Sequence, residues 1–125
     1  MAQMAIILCL QMIEYRTVAR MDELKPGCMK LITDGPQPVV LAHTESSYYA
    51  FEANCPHEFA PLHQGSLAGP VIECQRHRYT FHLCSGENLH PKSTYPPRLE
   101  ANVPHLRTFP VRILEREIQI GFEQS

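Results

Sequence analysis

From Met29 onward the chain reads as short apolar or alternating runs broken by turn chemistry. "MKLI" is followed by Asp34-Gly35-Pro36, "VVLAH" by "TESS", and "YYAFEA" by a polar, proline-containing stretch. A second group follows as "VIEC", "RYTFHL", a turn at Ser85-Gly86-Glu87-Asn88, and then "FPVRIL" and "EIQIGF" on either side of Glu115-Arg116. Alternation over a few residues, bounded by Gly, Pro, Asn, Asp and Ser, is the signature of strands joined by turns. No long window carries a 3.6-residue apolar period, and only Met21 to Leu24 has room for one helical turn before Pro26. The pattern predicts an all-β chain built as antiparallel meanders.

Three segments fall outside that pattern. Between Glu87 and Thr108 stand Pro91, Pro96, Pro97 and Pro104. Proline donates no ladder hydrogen bond, so this stretch reads as a surface loop. Asn54 to Ala68 and Cys74 to His77 also read as loops, yet they hold soft potential metal ligands, and function concentrates on such loops.

The start of the chain is different again. "MAIILCLQM" is apolar but lacks a basic beginning, a small-residue cleavage site and the run of about 18 residues that a membrane span requires. A regular pattern begins near Tyr15, so residues 1–14 are expected to be an N-terminal extension or an edge strand, and residues 15–125 one domain. The formal net charge is -2, with Lys and Arg scattered among acids, which argues against nucleic acid as a partner. Five cysteines, an odd number, without a secretory signal fit a reducing compartment, so the expectation is a cytoplasmic protein with no membrane partner.

The two ligand-bearing loops share an arithmetic. Cys55-x-His57 is followed, after 16 intervening residues, by Cys74-x-x-His77. A lone Cys or His is ordinarily a core or surface residue, but two matched Cys/His pairs point to a metal. Zinc accepts two Cys and two His tetrahedrally, although its usual knuckles supply like ligands from each loop. A two-iron, two-sulfide cluster with two cysteines on one iron and two histidines on the other suits loops that each offer one of each.

At these residues a resemblance emerges. "CPHEFAPLHQG" followed by "CQRHRYTF" resembles the Rieske signature C-x-H … C-x-x-H. "LKPGCMKLITDGPQPVVLAHTESSYYAFEANCPH" resembles the start of bacterial Rieske ferredoxins and "FPVRILEREIQIGF" their last hairpin, so the likeness covers residues 15–122. It implies a Rieske iron–sulfur fold: an antiparallel β-sandwich base carrying a small cluster-binding subdomain, with ligand loops at 54–68 and 74–84 and a proline-containing loop at 90–105 covering the cluster. It further implies one [2Fe-2S] cluster per chain, with Cys55 and Cys74 on the buried iron and His57 and His77 on the outer iron. Pro61, Leu62 and Gly65 match the family's shielding turn, and Tyr79 and Phe81 match packing aromatics. Arg78 departs from the pattern, standing where glycine is common.

High-potential Rieske proteins carry an extra Cys in each ligand loop and two hydroxyl donors beyond the second His. The matching positions here are Ala60, Arg76, Tyr79 and Phe81. The resemblance therefore implies the low-potential subtype, around −150 mV. Arg76 and Arg78 either raise that value by favouring the reduced cluster or are ordinary surface arginines.

The chain contains no mononuclear-iron triad and no dinucleotide-binding glycine loop, so it is expected to be a carrier rather than a catalyst on its own. The resemblance implies a monomeric ferredoxin that passes one electron from a reductase to the terminal oxygenase of an aromatic-ring hydroxylating system. Docking would occur around His57 and His77, with Phe59, Pro61, Leu62, Gln75 and Arg76 as a small, partly apolar surface. Two alternatives stand beside it: the Rieske-like small subunit of an NADH-dependent nitrite reductase, whose members often lack the ligands present here, and a zinc-stabilised binding module. His63 reads as a bystander and Cys84 as an unpaired thiol. Cys9, Cys28, His82, His90 and His105 receive no role.

Overall fold

Ten strands and two turns of 3₁₀ helix make up the computed structural model, which describes residues 12–45, 47–56, 60–75, 79–89 and 105–124. In chain order the strands are β1 (Met12–Arg20), β2 (Cys28–Ile32), β3 (Val39–His43), β4 (Tyr48–Glu52), β5 (Ser66–Ala68), β6 (Val71–Glu73), β7 (Thr80–His82), β8 (Thr108–Phe109), β9 (Val111–Leu114) and β10 (Glu117–Gln124). The 3₁₀ turns are Met21–Glu23, where one helical turn is predicted, and Leu62–Gln64. No α-helix occurs among the described residues, and none of their helices is long and apolar enough to cross a membrane. The chain is all-β.

All strand pairs are antiparallel and form three sheets, ordered β1-β10-β9, β2-β3-β4-β8 and β5-β6-β7. The second lies between the other two, and β3 explains why. Successive side chains of a strand point to opposite faces. Val39 and Leu41 pack with Ile118, Ile120 and Phe122 of β10, whereas Val40 and Ala42 pack with Ile72 of β6 and Phe81 of β7. The run "VVLA" is thus fully apolar because β3 is covered on both sides, the situation more usual in parallel sheets. Register agrees: Val40 faces Phe51 and Leu41 faces Ala50, each pair entering a single core.

The base is closed by β1-β10-β9. In β10 the alternation is clean, with Ile118, Ile120 and Phe122 buried and Gln119 outward. Glu115 and Arg116 make the β9–β10 turn with φ of 50° and 69°, a conformation that hairpins usually give to Asn or Gly and that costs side-chain-bearing residues some strain.

Three boundaries differ from the sequence reading. β1 begins at Met12, ahead of the pattern expected from near Tyr15, and pairs along its length with β10, so residues 12–14 take the edge-strand alternative of the expectation. Residues 1–11 lie outside the described residues. The expected loop 54–68 ends in a strand, because Ser66–Ala68 pairs with Val71–Glu73. Ser66 and Ala68 are exposed and only Leu67 turns inward, so the segment has no apolar signal of its own. The expected loop 74–84 likewise contains β7, while the proline stretch 90–104 lies outside the described residues.

Candidate metal centre

Each predicted thiol ligand opens a loop of the same construction. The Cys55 N–H donates to the Ala60 carbonyl at 2.8 Å, and the Cys74 N–H donates to the Tyr79 carbonyl at 2.7 Å. Both bonds span five residues, which folds the chain into a six-residue loop with the cysteine at its base. The first loop leaves β4 and is sealed one step lower by Leu62 N–H to the Ala53 carbonyl at 2.8 Å. The second loop connects β6 to β7. His57 and His77, predicted as ligands, lie outside the described residues, as do Glu58, Phe59, Arg76 and Arg78.

Both cysteines are fully buried and belong to the same core as Leu62, Ile72, Tyr79 and Phe81. The 3₁₀ turn after the first loop sets Leu62 inward at 0% exposure, so its expected place on a docking surface is corrected to a packing role beneath the loops. Pro61 remains half-buried and Gln75 exposed. Phe81 is fully buried and Tyr79 nearly so, as expected of packing aromatics.

Gly65 is needed for a geometric reason. A Cβ on it would lie 2.1 Å from the Glu73 carbonyl oxygen, so only glycine lets the end of the first loop lie against β6 just before Cys74. One further contact ties the loops, a hydrogen bond from Gln75 Nε2 to Gln64 Oε1 at 3.0 Å. Glu52, at the end of β4, carries a perturbed carboxyl. Burial pushes its pKa above the usual value, against the lowering effects of its hydrogen bond from the Arg107 backbone and of the Arg107 charge.

Two thiols fully buried at the bases of matched loops are a soft donor pair held away from water, which fits a thiolate-bound metal or cluster on its inner side. Among the described residues no group of three or more possible ligands occurs. The other residues stand apart. Cys28 and Cys84 are exposed, His105 Nδ1 accepts the Asn88 N–H at 3.0 Å, and the Nδ1 atoms of His63 and His82 are buried without a hydrogen-bond partner. Cys9 and His90 lie outside the described residues.

Sequence reasoning missed Glu52 and Gln64. Glu52 ends an ordinary strand and acts through the backbone of a residue 55 positions later, which no local spacing announces.

Residues 14–110 match the family model of the Rieske [2Fe-2S] domain. Among curated proteins, the chain is 29% identical over 109 residues to the ferredoxin CarAc of Metapseudomonas resinovorans, covering 86% of this chain and 94% of that one. It is 30% identical over 112 residues to the ferredoxin component of the alkene monooxygenase system of Xanthobacter autotrophicus, covering 89% and 84% respectively. Among solved structures, a chain in the complex of reduced oxygenase and oxidized ferredoxin in carbazole 1,9a-dioxygenase superposes with a TM-score of 0.72 at 27% identity, covering 89% of this chain and 95% of that one.

Proposed function

The chain belongs to the Rieske [2Fe-2S] domain family and is an electron carrier of that family, and on this premise we propose that Cys55, His57, Cys74 and His77 hold its single cluster. The protein then passes one electron at a time from a ferredoxin reductase to a terminal oxygenase. The observation that carries the ligand assignment is the matched pair of loops, each with a fully buried cysteine at its base and, in sequence, a histidine between its closing residues. The oxygenase is proposed from the carbazole system, where a ferredoxin of the same fold is seen with its oxygenase. A transient encounter at the loop tips, near His57 and His77, suits a monomeric cytoplasmic carrier. We take residues 15–125 as the domain, preceded by the first residues of β1.

The cluster supplies a one-electron centre whose two ferric ions, two sulfides and two thiolates sum to zero charge beside neutral histidines, whereas four thiolates would leave it doubly negative and harder to reduce. The protein's part is to keep the thiols dry and fixed. Leu62, Ile72 and Phe81 exclude water around Cys55 and Cys74, and the two five-residue closures hold the loops in register. Phe81 has no hydroxyl to donate and is fully buried, which supports a low-potential centre near about −150 mV, since hydrogen bonds to the sulfurs raise the value.

Anaerobically purified protein is expected to contain iron and acid-labile sulfide in equal amounts and to absorb in the visible. A colourless protein holding one zinc and no sulfide overturns the assignment, and a midpoint above about +100 mV overturns the low-potential reading. His77→Cys, if a cluster survives, is expected to drop the midpoint by roughly 100 mV or more, toward the all-thiolate value near −400 mV. An unchanged midpoint means that His77 is no ligand.

A further inference from the structure

The sheet that carries Cys74 is small, and what fixes it against β4, the strand that leads to Cys55, is a short irregular stretch far away in sequence. Residues 105–107 run between the two. On one side they continue the β4–β8 ladder, in which Ala50 pairs with Phe109 and Phe51 with Thr108. The next step is made by Glu52 twice over: its N–H donates to the Arg107 carbonyl at 2.9 Å, and its Oε2 accepts the Arg107 N–H at 2.6 Å. On the other side the Leu106 N–H donates to the Gly86 carbonyl at 2.8 Å, and the Asn88 N–H donates to His105 Nδ1 at 3.0 Å. Gly86 and Asn88 belong to the turn that follows β7; Asn88 also forms a bridge to Phe81. The approach is close, because a Cβ on Gly86 would lie 2.0 Å from the Leu106 carbonyl oxygen, and Gly86 has a φ of 78°. Leu106 itself is buried in the core that contains Cys55 and Cys74.

We propose that Glu52 is a positioning residue for the cluster: by holding the Arg107 N–H it locks residues 105–107 as a staple that fixes the Cys74-bearing sheet against the strand leading to Cys55. This rests on the ligand reading above. The carboxylate matters because the Arg107 N–H, one residue ahead of β8, is taken by this side chain rather than by a ladder carbonyl. Removing the acceptor takes away that hydrogen bond, at an exposed position, and frees the staple at one end. The two thiols then lose their fixed relation although every ligand remains.

The test compares cluster release with overall stability. The decay of visible absorption in the presence of an iron chelator, well below the unfolding temperature, is followed for the wild type, Glu52→Ala, Glu52→Gln and Ile120→Ala, the last cutting into the base core. Glu52→Ala is expected to release the cluster about fivefold faster, the change that follows from losing the net contribution of one hydrogen bond. Glu52→Gln keeps an oxygen for the Arg107 N–H and is expected to stay within about twofold of the wild type. Ile120→Ala is expected to lose at least as much thermal stability as Glu52→Ala without matching its release rate. His105→Ala, at an exposed position, loosens the other leg and is expected to speed release by about threefold, so the proposal stays testable if Glu52→Ala does not fold. Wild-type release rates in both Glu52→Ala and His105→Ala overturn the staple, as does a Glu52→Gln protein as labile as Glu52→Ala. A wild type that holds no iron and sulfide overturns the ligand reading instead.

Discussion

The two cores on either side of the middle sheet are built on different terms. The base core lies between that sheet and β1-β10-β9, whose two longest strands, β1 and β10, run to 9 and 8 residues, and it is filled by Ile118, Ile120, Phe122, Leu41 and Phe109. The opposite core lies under a sheet whose three strands have 3 residues each, and it includes two cysteines beside Phe51, Leu62, Ile72 and Phe81. A three-stranded sheet that short is marginal without something packed on it. Its order therefore depends on the ligand loops, on residues 105–107 and on whatever the thiols bind, because metal binding adds its free energy to folding when the site is absent from the unfolded chain. The base is therefore expected to hold most of the stability, with the two buried cysteines in the part whose order is conditional.

Matched truncations break that comparison most strongly. Phe122→Ala and Phe81→Ala each remove a buried aromatic, and each is expected to cost about 3–5 kcal/mol. Their consequences are expected to diverge. Phe122→Ala lowers the unfolding temperature while the iron-to-protein ratio and midpoint potential stay at wild-type values. Phe81→Ala empties space beneath both cysteines and yields protein short of iron. Denaturation curves and iron analysis on the two variants check this. Equal cluster loss from Phe122→Ala would mean that the two cores act as one cooperative unit.

What the sequence disclosed follows the same division. The β10 alternation, the Met21–Glu23 turn and the turn residues around Gly86 were legible because their signals are local. The two loops with a buried cysteine at the base of each were legible because each cysteine stands in its own short local spacing with a histidine. β5 was not, since the order of Ser66–Ala68 comes from pairing with Val71–Glu73 and from the absence of a Cβ at Gly65. Leu62 was assigned to the surface because a residue beside a ligand loop reads as exposed, and only the 3₁₀ turn reveals that it points inward. Glu52 left no trace because its partner is a backbone N–H, and no side-chain pattern encodes which N–H a distant carboxylate will meet.

A smaller effect tests Glu52 by pH. Burial raises its pKa in the folded protein above the usual glutamate value, so the folded state binds this proton more tightly than the unfolded chain does. The resulting contribution is fully present below the unfolded pKa and is lost as pH rises through the raised folded value. Because the group is half-buried and screened, the change is expected to stay below about 1 kcal/mol. Denaturant midpoints across that window are expected to fall more steeply with rising pH in the wild type than in Glu52→Gln. Parallel slopes would remove the carboxyl from the account and leave only its hydrogen bond.

The smallest effect separates two exposed bonds of the same kind. Gln75 Nε2 donates to Gln64 Oε1 at 3.0 Å between the flanks of the ligand loops, and Gln119 Nε2 donates to Thr17 Oγ1 at 3.1 Å on the outer face of the base. Each is worth about 0.5 kcal/mol by the usual measure of an exposed neutral pair. Double-mutant cycles on stability are therefore expected to give the two pairs similar coupling energies, close to that figure. Cluster release tells them apart. Gln75 follows Cys74 directly and Gln64 precedes Gly65, so Gln75→Ala is expected to hasten release, by less than Glu52→Ala does, while Gln119→Ala leaves it unchanged. Equal release from both variants would show that the loop closures at Cys55 and Cys74 hold the thiols without help from the bond between the loops.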